Sequence, residues 1–570
     1  MNIALPPGST RRGPPPPELF IRGSPVRRWP FTVRGKSGSP RTLEVALSDP
    51  TTVSRRSVLL GGTAAGAVAL STGAALPAAA QQGAGFARRG EVFTLGVASG
   101  DPAPDGVVLW TRLAADPIAE DGMGGMPDKT FPVQWEVAED ERFHRVVQRG
   151  EAQAAPSLGH SVHVELTGLR PDREYFYRFR AEGAVSPVGR TRTAPLPGAM
   201  TELTMAFASC AQFEHGFFTA YRHLAEEHPD LVLHLGDYQY EYKAGDYVIP
   251  GGNIRDHAGP ETTTLANYRQ RHAQYKSDPD LQFAHAAAPW VVVWDDHELD
   301  NNWADEIHEK PEKPQPDFLE RRKAAFQAYY ENMPLRRAQI PKGIDLRLHR
   351  RIEWGRLATF HMLDTRQYRD DQVGGDKVPT TDPARLDPAR SLTGAEQERW
   401  LLTNLRSSQA RWDVLGQQVM FAEIDLAEGD AEGYNPDAWD GYVGSRQRVI
   451  QGFQQGKVRN PVVLTGDVHK NWANDVQSDG RTVATELTTT SITSGGDGSE
   501  SLTEKEKGYL RDNPHVRFYS NQRGYIRTRF TEGELRADYR VVPYVSKPGA
   551  PVRTAASFVV EDGRPGLNPA

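Results

Sequence analysis

Four short apolar segments of the sequence each stop at a side chain that can bind a metal ion. Their length and composition are typical of buried strands in a sheet that is covered on both faces. Stretches with helical spacing lie between them, and this alternation predicts an α/β layer structure from about residue 201 onward. The segments and their terminal groups are Leu203–Ala208 with Cys210, Leu231–Leu235 with Asp237, residues 290–294 with Asp296 and His297, and Pro461–Thr465 with Asp467 and His469.

Each terminal group also has a purely structural interpretation. A single buried cysteine such as Cys210 usually packs as a small apolar side chain, and a lone His297 usually makes a structural hydrogen bond. The joint pattern favours chemistry, because four strands of one sheet would carry Cys, Asp or His at the same edge. Carboxylates gathered there repel one another unless cations neutralise them. The sequence therefore predicts a site for more than one metal ion.

The segment after Leu231–Leu235 offers two further types of ligand. Asp237 can bridge two cations, because a carboxylate has two oxygens with free lone pairs. Tyr240 lies three residues further on and can reach the same centre as a phenolate, if a strongly Lewis-acidic ion lowers its pKa. Asp467 and His469 alternate along a strand end, so both side chains point to one face.

Composition disfavours one broad class of function, nucleic-acid binding. The chain of 570 residues has 67 basic and 74 acidic side chains, of which the first 80 residues hold ten and three, so the remainder carries a net charge of −14. Nucleic-acid binding depends on phosphate neutralisation by Lys and Arg, so no specific nucleic-acid recognition is expected. Cys210 is the single cysteine, which rules out an intrachain disulfide.

The first 80 residues have the pattern of an export signal. Residues 1–53 are rich in Arg, Pro and Gly and are interpreted as a disordered leader extension. Residues 54–80 begin with Ser54-Arg55-Arg56 and continue as a small, apolar run to Ala80, which is typical of a twin-arginine signal peptide. We expect export by the twin-arginine translocase and a periplasmic or secreted mature protein without a stable membrane span. The alternative, a transmembrane anchor, is disfavoured by the weak hydrophobicity of the run.

Residues 91–195 predict a β-sandwich, because short alternating strands lie between turns. Leu169-Arg170-Pro171 before a Tyr-rich strand is similar to the tyrosine corner of immunoglobulin- and fibronectin-like sandwiches. Helices are predicted over residues 219–228 and 265–280. The expected fold class is multidomain α+β, with this sandwich followed by a catalytic domain over residues 201–545 and a C-terminal tail over residues 546–570.

Three motifs carry a resemblance to a known family: Gly236-Asp237 with Tyr240, Asp296-His297-Glu298, and Gly466-Asp467 with His469. They resemble the calcineurin-like and purple acid phosphatase pattern, with Asp296 at an Asn position, Asp467 at a His position and Cys210 at an Asp position. These replacements, together with VVVWDDHELDNNWADE, MLDTRQYRDDQ, WDVLGQQVMFAE and TGDVHKNW, resemble the PhoD-like alkaline phosphatase/phosphodiesterase family. The similarity extends from about Phe93 to about Tyr544.

The resemblance implies an α/β/β/α metallophosphoesterase domain that hydrolyses phosphate mono- and diesters at alkaline pH, outside the cytoplasm. It implies Fe3+ and Ca2+ as cofactors and attack on phosphorus by a metal-activated hydroxide or oxo group. Small-molecule phosphate esters are the expected substrates. The implied iron ligands are Cys210, Asp237, Tyr240 and His469, and the implied calcium ligands are Asp237, Asp296 and Asp467.

The resemblance also assigns roles to side chains that do not bind metal. His297 would contact the substrate, either to stabilise the phosphoryl oxygens or to protonate the leaving group. Arg366 would bind phosphate as a bidentate donor or would pair with Asp364, and both alternatives remain open. Asn301 and Asn302 would be oxygen ligands or helix caps, and caps are favoured.

Two other functions remain compatible with the sequence. One is a phospholipase D-like phosphodiesterase on phospholipids, which uses the same frame but requires a wider entrance. The other is a non-catalytic exported binding protein with an inactive metal domain. The complete set of metal-capable side chains disfavours the binding protein.

Overall fold

The computed structural model describes residues 91–310, 315, 317–375 and 377–570. The predicted leader extension and twin-arginine signal, residues 1–53 and 54–80, lie outside the described residues. None of the helices in the described part of the chain is long and apolar enough to cross a membrane.

Eight strands form the N-terminal part: β1 (Val97–Ala103), β2 (Gly106–Arg112), β3 (Phe131–Ala138), β4 (Val146–Ala154), β5 (Ser161–Glu165), β6 (Glu174–Ala181), β7 (Ala184–Val185) and β8 (Gly189–Arg192). Five of them form a separate antiparallel sheet in the order β4-β3-β6-β7, with β8 also paired to β6. The other three, β1, β2 and β5, belong to a much larger sheet. The two sheets share a core that contains Leu109, Val133, Val164 and Tyr177.

The rest of the chain adds fourteen strands within the described residues: β9 (Leu203–Ala208), β10 (Leu231–Leu235), β11 (Pro289–Val293), β12 (Arg350–Trp354), β13 (Ala358–Met362), β14 (Trp412–Gly416), β15 (Pro461–Thr465), β16 (Asn471–Ser478), β17 (Arg481–Thr488), β18 (Gly498–Ser499), β19 (Val516–Phe530), β20 (Glu534–Val542), β21 (Arg553–Glu561) and β22 (Arg564–Pro569). The helices are α1 (Thr219–Glu226), α2 (Leu265–Lys276), α3 (Pro279–Ala287), α4 (Phe318–Asn332), α5 (Gly394–Ser407), α6 (Val443–Gln455) and α7 (Glu504–Asp512).

These strands form two sheets that β19 joins. Sheet I has the order β5-β2-β1-β11-β10-β9-β19-β20-β21-β22, and sheet II has the order β12-β13-β14-β15-β17-β16-β19. The first part of β19 pairs with β16 and its last part pairs with β9. Short β18 pairs with the middle of β19.

The two sheets pack face to face, with helices on the outside. Leu233 of sheet I and Phe360 and Val414 of sheet II lie in one core. His234 points to the opposite face of sheet I, where its ring lies 2.8 Å from the hydroxyl of Tyr221 in α1. Helices α5 and α6 contribute to a second core on the outer side of sheet II. The layers therefore run helix, sheet, sheet, helix.

The predicted immunoglobulin/fibronectin-like sandwich is not confirmed. A sandwich of that type needs two sheets of its own, but β1 pairs in parallel with β11 through Ser99 and Pro289, so one of its sheets continues into sheet I. One detail agrees with the prediction, since the Tyr175 hydroxyl accepts a hydrogen bond from Arg170 N at 3.0 Å, as in a tyrosine corner.

Two predicted boundaries are wrong. The single helix over residues 265–280 is divided, because Pro279 cannot continue a helix; α3 starts there, and the Asp278 side chain caps it by accepting from Leu281 N. The predicted tail over residues 546–570 contains β21 and β22, which extend sheet I beyond β20. Phe558 and Val560 on β21 are buried in the main core, which explains why this segment is ordered as strand.

Candidate metal centre

The site lies where the carboxyl ends of four strands meet. β9, β10 and β11 run parallel in sheet I, so Cys210, Asp237 and Asp296 follow them at one edge. β15 lies in sheet II, so the four strands predicted to share one sheet are connected only through β19. The loop after β15 reaches the same place since the two sheets are in close contact: a Cβ atom added to Gly466 would lie 2.7 Å from Ser209 Oγ.

Four of the predicted ligands have a left-handed backbone, with φ values of 59°, 53°, 63° and 52°: Cys210, Asp237, Asp467 and His469. This conformation costs a residue with a side chain roughly 1–2 kcal/mol, and such residues cluster at functional sites. Hydrogen bonds between the loop after β9 and the loop after β10 hold Cys210 and Asp237 in this conformation. Cys210 N donates to Gly236 O at 3.1 Å, and Ala211 N donates to Asp237 O at 3.0 Å.

A thiol, a carboxylate, an imidazole and a phenol form the first group of ligands. The ligand atoms of Cys210, Asp237 and His469 all lie within 4.8 Å of one another. The Tyr240 hydroxyl donates to Asp237 Oδ2 at 2.9 Å and lies 3.2 Å from His469 Nε2. Ser494 Oγ lies 2.8 Å from that hydroxyl and 2.9 Å from Cys210 O, which fixes their separation. The structure thus brings the four predicted iron ligands together.

Two further groups of ligand atoms lie within the same 4.8 Å limit: Asp237 with Asp296 and His297, and Asp295 with Asp296 and Asp467. Asp237 therefore belongs to two groups, and so does Asp296. Carboxylates shared in this way can link neighbouring cations. The Asp467 and His469 side chains are 20% and 21% exposed, so the site opens to solvent beside the loop after β15.

The protein alone does not favour the charged forms of these ligands. Burial raises the pKa of Asp237 well above its usual range, and the charges of Asp296 and Glu298 add to this effect. Burial also raises the pKa of the Cys210 thiol and of Asp467. A bound cation would reverse these shifts, because it stabilises the ionised form of each ligand.

The donor set fits metal ions of two kinds. Asp237 Oδ1 and Asp295 Oδ2 are buried and have no hydrogen-bond partner among the described residues. Unpaired polar atoms in the interior are costly, and a cation beside them would remove that cost. Sulfur, phenolate and imidazole donors suit a transition metal such as iron, whereas a cluster of carboxylate oxygens suits a hard ion such as calcium.

Asn302 lies next to this site. Its backbone N donates to Asp296 Oδ2 at 2.8 Å, and its own φ is 50°. Neither Asn301 nor Asn302 begins a helix, since the next one, α4, is preceded by Asp317. The preferred interpretation of these residues as helix caps is therefore wrong. The alternative, an oxygen ligand, stays open for Asn302, whose side chain makes no hydrogen bond within the described residues.

Arg366 is buried between carboxylates. Its Nε donates to Asp295 Oδ1 at 2.5 Å, and its two terminal nitrogens donate to Asp437 at 2.9 and 3.0 Å. One of these nitrogens also lies 3.7 Å from Asp296 Oδ1. Asp364 accepts a bond from the backbone N of Arg366, so the predicted pairing of these two side chains is wrong. The guanidinium instead holds Asp295 and Asp296 in position.

His297 lies at the second group of ligand atoms and is oriented by Glu241. Its Nδ1 is 2.8 Å from Glu241 Oε2, and its ring stacks on Tyr240 at a centroid distance of 4.1 Å. Burial on its own would lower the pKa of His297, but the carboxylates of Glu241, Asp296 and Asp237 outweigh burial and raise it well above its usual value. These carboxylates thus favour the protonated form of the ring.

Sequence reasoning missed several residues that shape the site: Asp295, Glu241, Glu298, Asp437 and Ser494. Asp295 and Glu298 lie within the Asp-Asp-His-Glu run, so their position at a strand end was a usable signal. Glu241 follows Tyr240 directly and carried the same signal. Asp437 and Ser494 come from distant loops, and no local pattern marks them.

Two family profiles match the chain. The profile of the PhoD-like phosphatase covers residues 205–539, and that of the PhoD-like phosphatase N-terminal domain covers residues 78–195. The chain belongs to the PhoD-like phosphatase family. This PhoD-like phosphatase is 51% identical over 482 residues to alkaline phosphatase D of Bacillus subtilis (strain 168), which covers 83% of this chain and 82% of the relative.

The solved structure of PhoD agrees with this assignment. The structure of PhoD aligns with a TM-score of 0.81 at 49% identity and covers 86% of this chain and 93% of that one. A purple acid phosphatase from yellow lupin seeds aligns with a TM-score of 0.48 at 13% identity over 82% of this chain and 73% of that one. The predicted family and the predicted enzyme class are confirmed: this PhoD-like phosphatase is a metal-dependent phosphoric ester hydrolase.

Proposed function

We propose that the protein is an exported alkaline phosphatase/phosphodiesterase that hydrolyses phosphate mono- and diesters with Fe3+ and Ca2+. The position of Asp237 is the observation that carries the proposal. Asp237 belongs to two groups of ligand atoms, and one of its buried oxygens has no hydrogen-bond partner among the described residues. A carboxylate in this position is suited to bridge a transition metal and a hard cation.

The ligands divide by donor chemistry. Cys210, Tyr240 and His469, together with Asp237, hold Fe3+, because thiolate and phenolate donors stabilise a small, highly charged ion. Asp296 and Asp467, together with Asp237, hold Ca2+ through carboxylate oxygens. Asp295 and Asn302 extend the set of oxygen donors on the calcium side. When bound, the cations lower the pKa of a water nucleophile and neutralise charge on the phosphoryl oxygens.

His297 contacts the substrate in this proposal. Because Glu241 binds Nδ1, the ring has a fixed orientation and its Nε2 is left for the phosphate ester. A protonated imidazole there stabilises a phosphoryl oxygen or donates its proton to the leaving oxygen. Arg366 does not contact the phosphate in this proposal, because its nitrogens donate hydrogen bonds to Asp295 and Asp437. Its role is to orient the metal ligands.

A substrate panel tests the proposal. The metal-loaded protein should hydrolyse both p-nitrophenyl phosphate and bis(p-nitrophenyl) phosphate, and each reaction should be faster at alkaline than at neutral pH. Asp296→Asn should remove most of this activity. Asp413→Asn is the matched control, because Asp413 is a buried aspartate that pairs with His361 on sheet II at 3.0 Å and binds no ligand of the site. Hydrolysis of neither ester, or equal rates in Asp296→Asn and the control, would contradict the proposal.

A further inference from the structure

An exposed loop between β10 and α2 presents one aromatic side chain to the metal centre. The loop spans residues 243–262 and starts three residues after the ligand Tyr240. Most of its first residues are exposed, and Val248 is 56% exposed. Tyr247 differs from them, because its side chain is only partly exposed and lies against other rings.

Hydrogen bonds hold the backbone of Tyr247 from two sides. His215 Nδ1 accepts from Gly495 N at 3.0 Å, so its proton lies on Nε2, which donates to Tyr247 O at 3.1 Å. Asn253 Nδ2 donates to the same carbonyl at 3.0 Å. The His215 and Tyr247 rings also meet edge to face at a centroid distance of 4.6 Å. These contacts fix one phenol ring in advance on a loop whose neighbouring residues are exposed.

This ring lies at the edge of the metal centre. Its centroid is 6.4 Å from the ring of Tyr240 and 5.6 Å from the ring of Tyr242. Tyr242 in turn meets His297 edge to face at 5.4 Å. Tyr242 and Tyr247 are both partly exposed, and neither hydroxyl has a hydrogen-bond partner among the described residues. We call these two side chains the aromatic rim.

We propose that the aromatic rim is the subsite for the organic group of the phosphate ester and that Tyr247 selects planar, aromatic groups there. The inference rests on the proposed phosphoesterase function. A phosphoryl group held by the cations and His297 leaves its ester substituent beside the rim, since Tyr242 contacts His297 and Tyr247 contacts Tyr242. A fixed ring stacks on a planar group at little entropic cost, whereas a puckered or short aliphatic group makes fewer contacts with it.

Phosphonates test this subsite without turnover. Dissociation constants of phenylphosphonate and cyclohexylphosphonate for the metal-loaded protein are measured by calorimetry, with inorganic phosphate as a probe that lacks an organic group. The wild-type protein should bind phenylphosphonate about fivefold more tightly than cyclohexylphosphonate, the scale of one aromatic contact. Tyr247→Ala should abolish this preference and leave phosphate binding unchanged. Tyr247→Phe should retain the preference, because the ring and not the hydroxyl makes the contact.

Ile254→Ala is the matched control, since Ile254 lies on the same loop and is 39% exposed. It should keep the wild-type preference. Equal affinities of the two phosphonates for the wild-type protein, or an unchanged preference in Tyr247→Ala, would overturn the subsite. A wild-type protein that binds the phosphonates with the expected preference but hydrolyses no phosphate ester would overturn the proposed function alone.

Discussion

Replacing Glu298 with Gln should loosen the metal centre without changing a ligand. The buried Glu298 carboxylate accepts three backbone hydrogen bonds, from Asp237 N at 3.1 Å, Tyr238 N at 2.7 Å and Asp295 N at 2.9 Å. It thereby links the loop after β10 to the loop after β11. A glutamine has the same size, but its NH2 group faces at least one of these N–H donors.

The expected loss of stability follows from the hydrogen bonds that Glu298→Gln removes. Each buried N–H without an acceptor costs about 1–3 kcal/mol. Burial raises the pKa of Glu298 to about 7, so the neutral amide recovers part of this cost at alkaline pH. We expect a net loss of about 2 kcal/mol in the free energy of unfolding. Metal affinity should fall roughly 10- to 100-fold, as for other groups that orient metal ligands.

Urea denaturation and metal titration of the purified variant measure the two effects. Glu331→Gln is the matched control, because Glu331 is also buried but pairs with Arg269 at 2.6 and 2.7 Å, outside the metal centre. The control should lose stability and keep its metal affinity. If Glu298→Gln retained full metal affinity and turnover, the link between the two loops would be irrelevant to the site, and the reasoning would be refuted.

Two other predictions concern calcium and export. Chelation of calcium should abolish activity while some iron remains bound, since the carboxylate side of the site is partly open to solvent. Added calcium should restore the activity. Unchanged turnover in excess chelator would count against this division of ligands. Replacing Arg55 and Arg56 with Lys should retain the enzyme in the cytoplasm, as measured by activity in cell fractions; full activity outside the cell would contradict the predicted signal.

The strands next to the site could be predicted from the sequence because their signals are local. β9, β10 and β15 have the predicted bounds, since each is a run of apolar residues buried on both faces. Which sheet each strand joins is decided by distant pairing. The placement of β15 in sheet II and the parallel pairing of β1 with β11 leave no local trace, so the sequence could not predict them.

The candidate site also combines features with a local sequence signal and features that depend on distant residues. The predicted ligands stand directly after apolar strands, and the structure brings Cys210, Asp237 and His469 together. The environment of Arg366 could not be predicted, because Asp437 lies 71 residues further along the chain. Tyr247 was also missed, since its position depends on His215 and Gly495 from two other loops.

The iron content of Cys210→Ser tests the central claim most directly. Cys210 is buried and is the single cysteine, so serine keeps the size of the side chain but removes the sulfur donor. If Cys210 binds Fe3+, the variant should lose its iron and its visible charge-transfer band, and phosphodiester turnover should fall at least about a hundredfold. If Cys210 only packs in the core, the variant should lose roughly 1 kcal/mol of stability and keep iron and activity. A folded Cys210→Ser protein with full iron and full turnover would contradict the proposed metal centre.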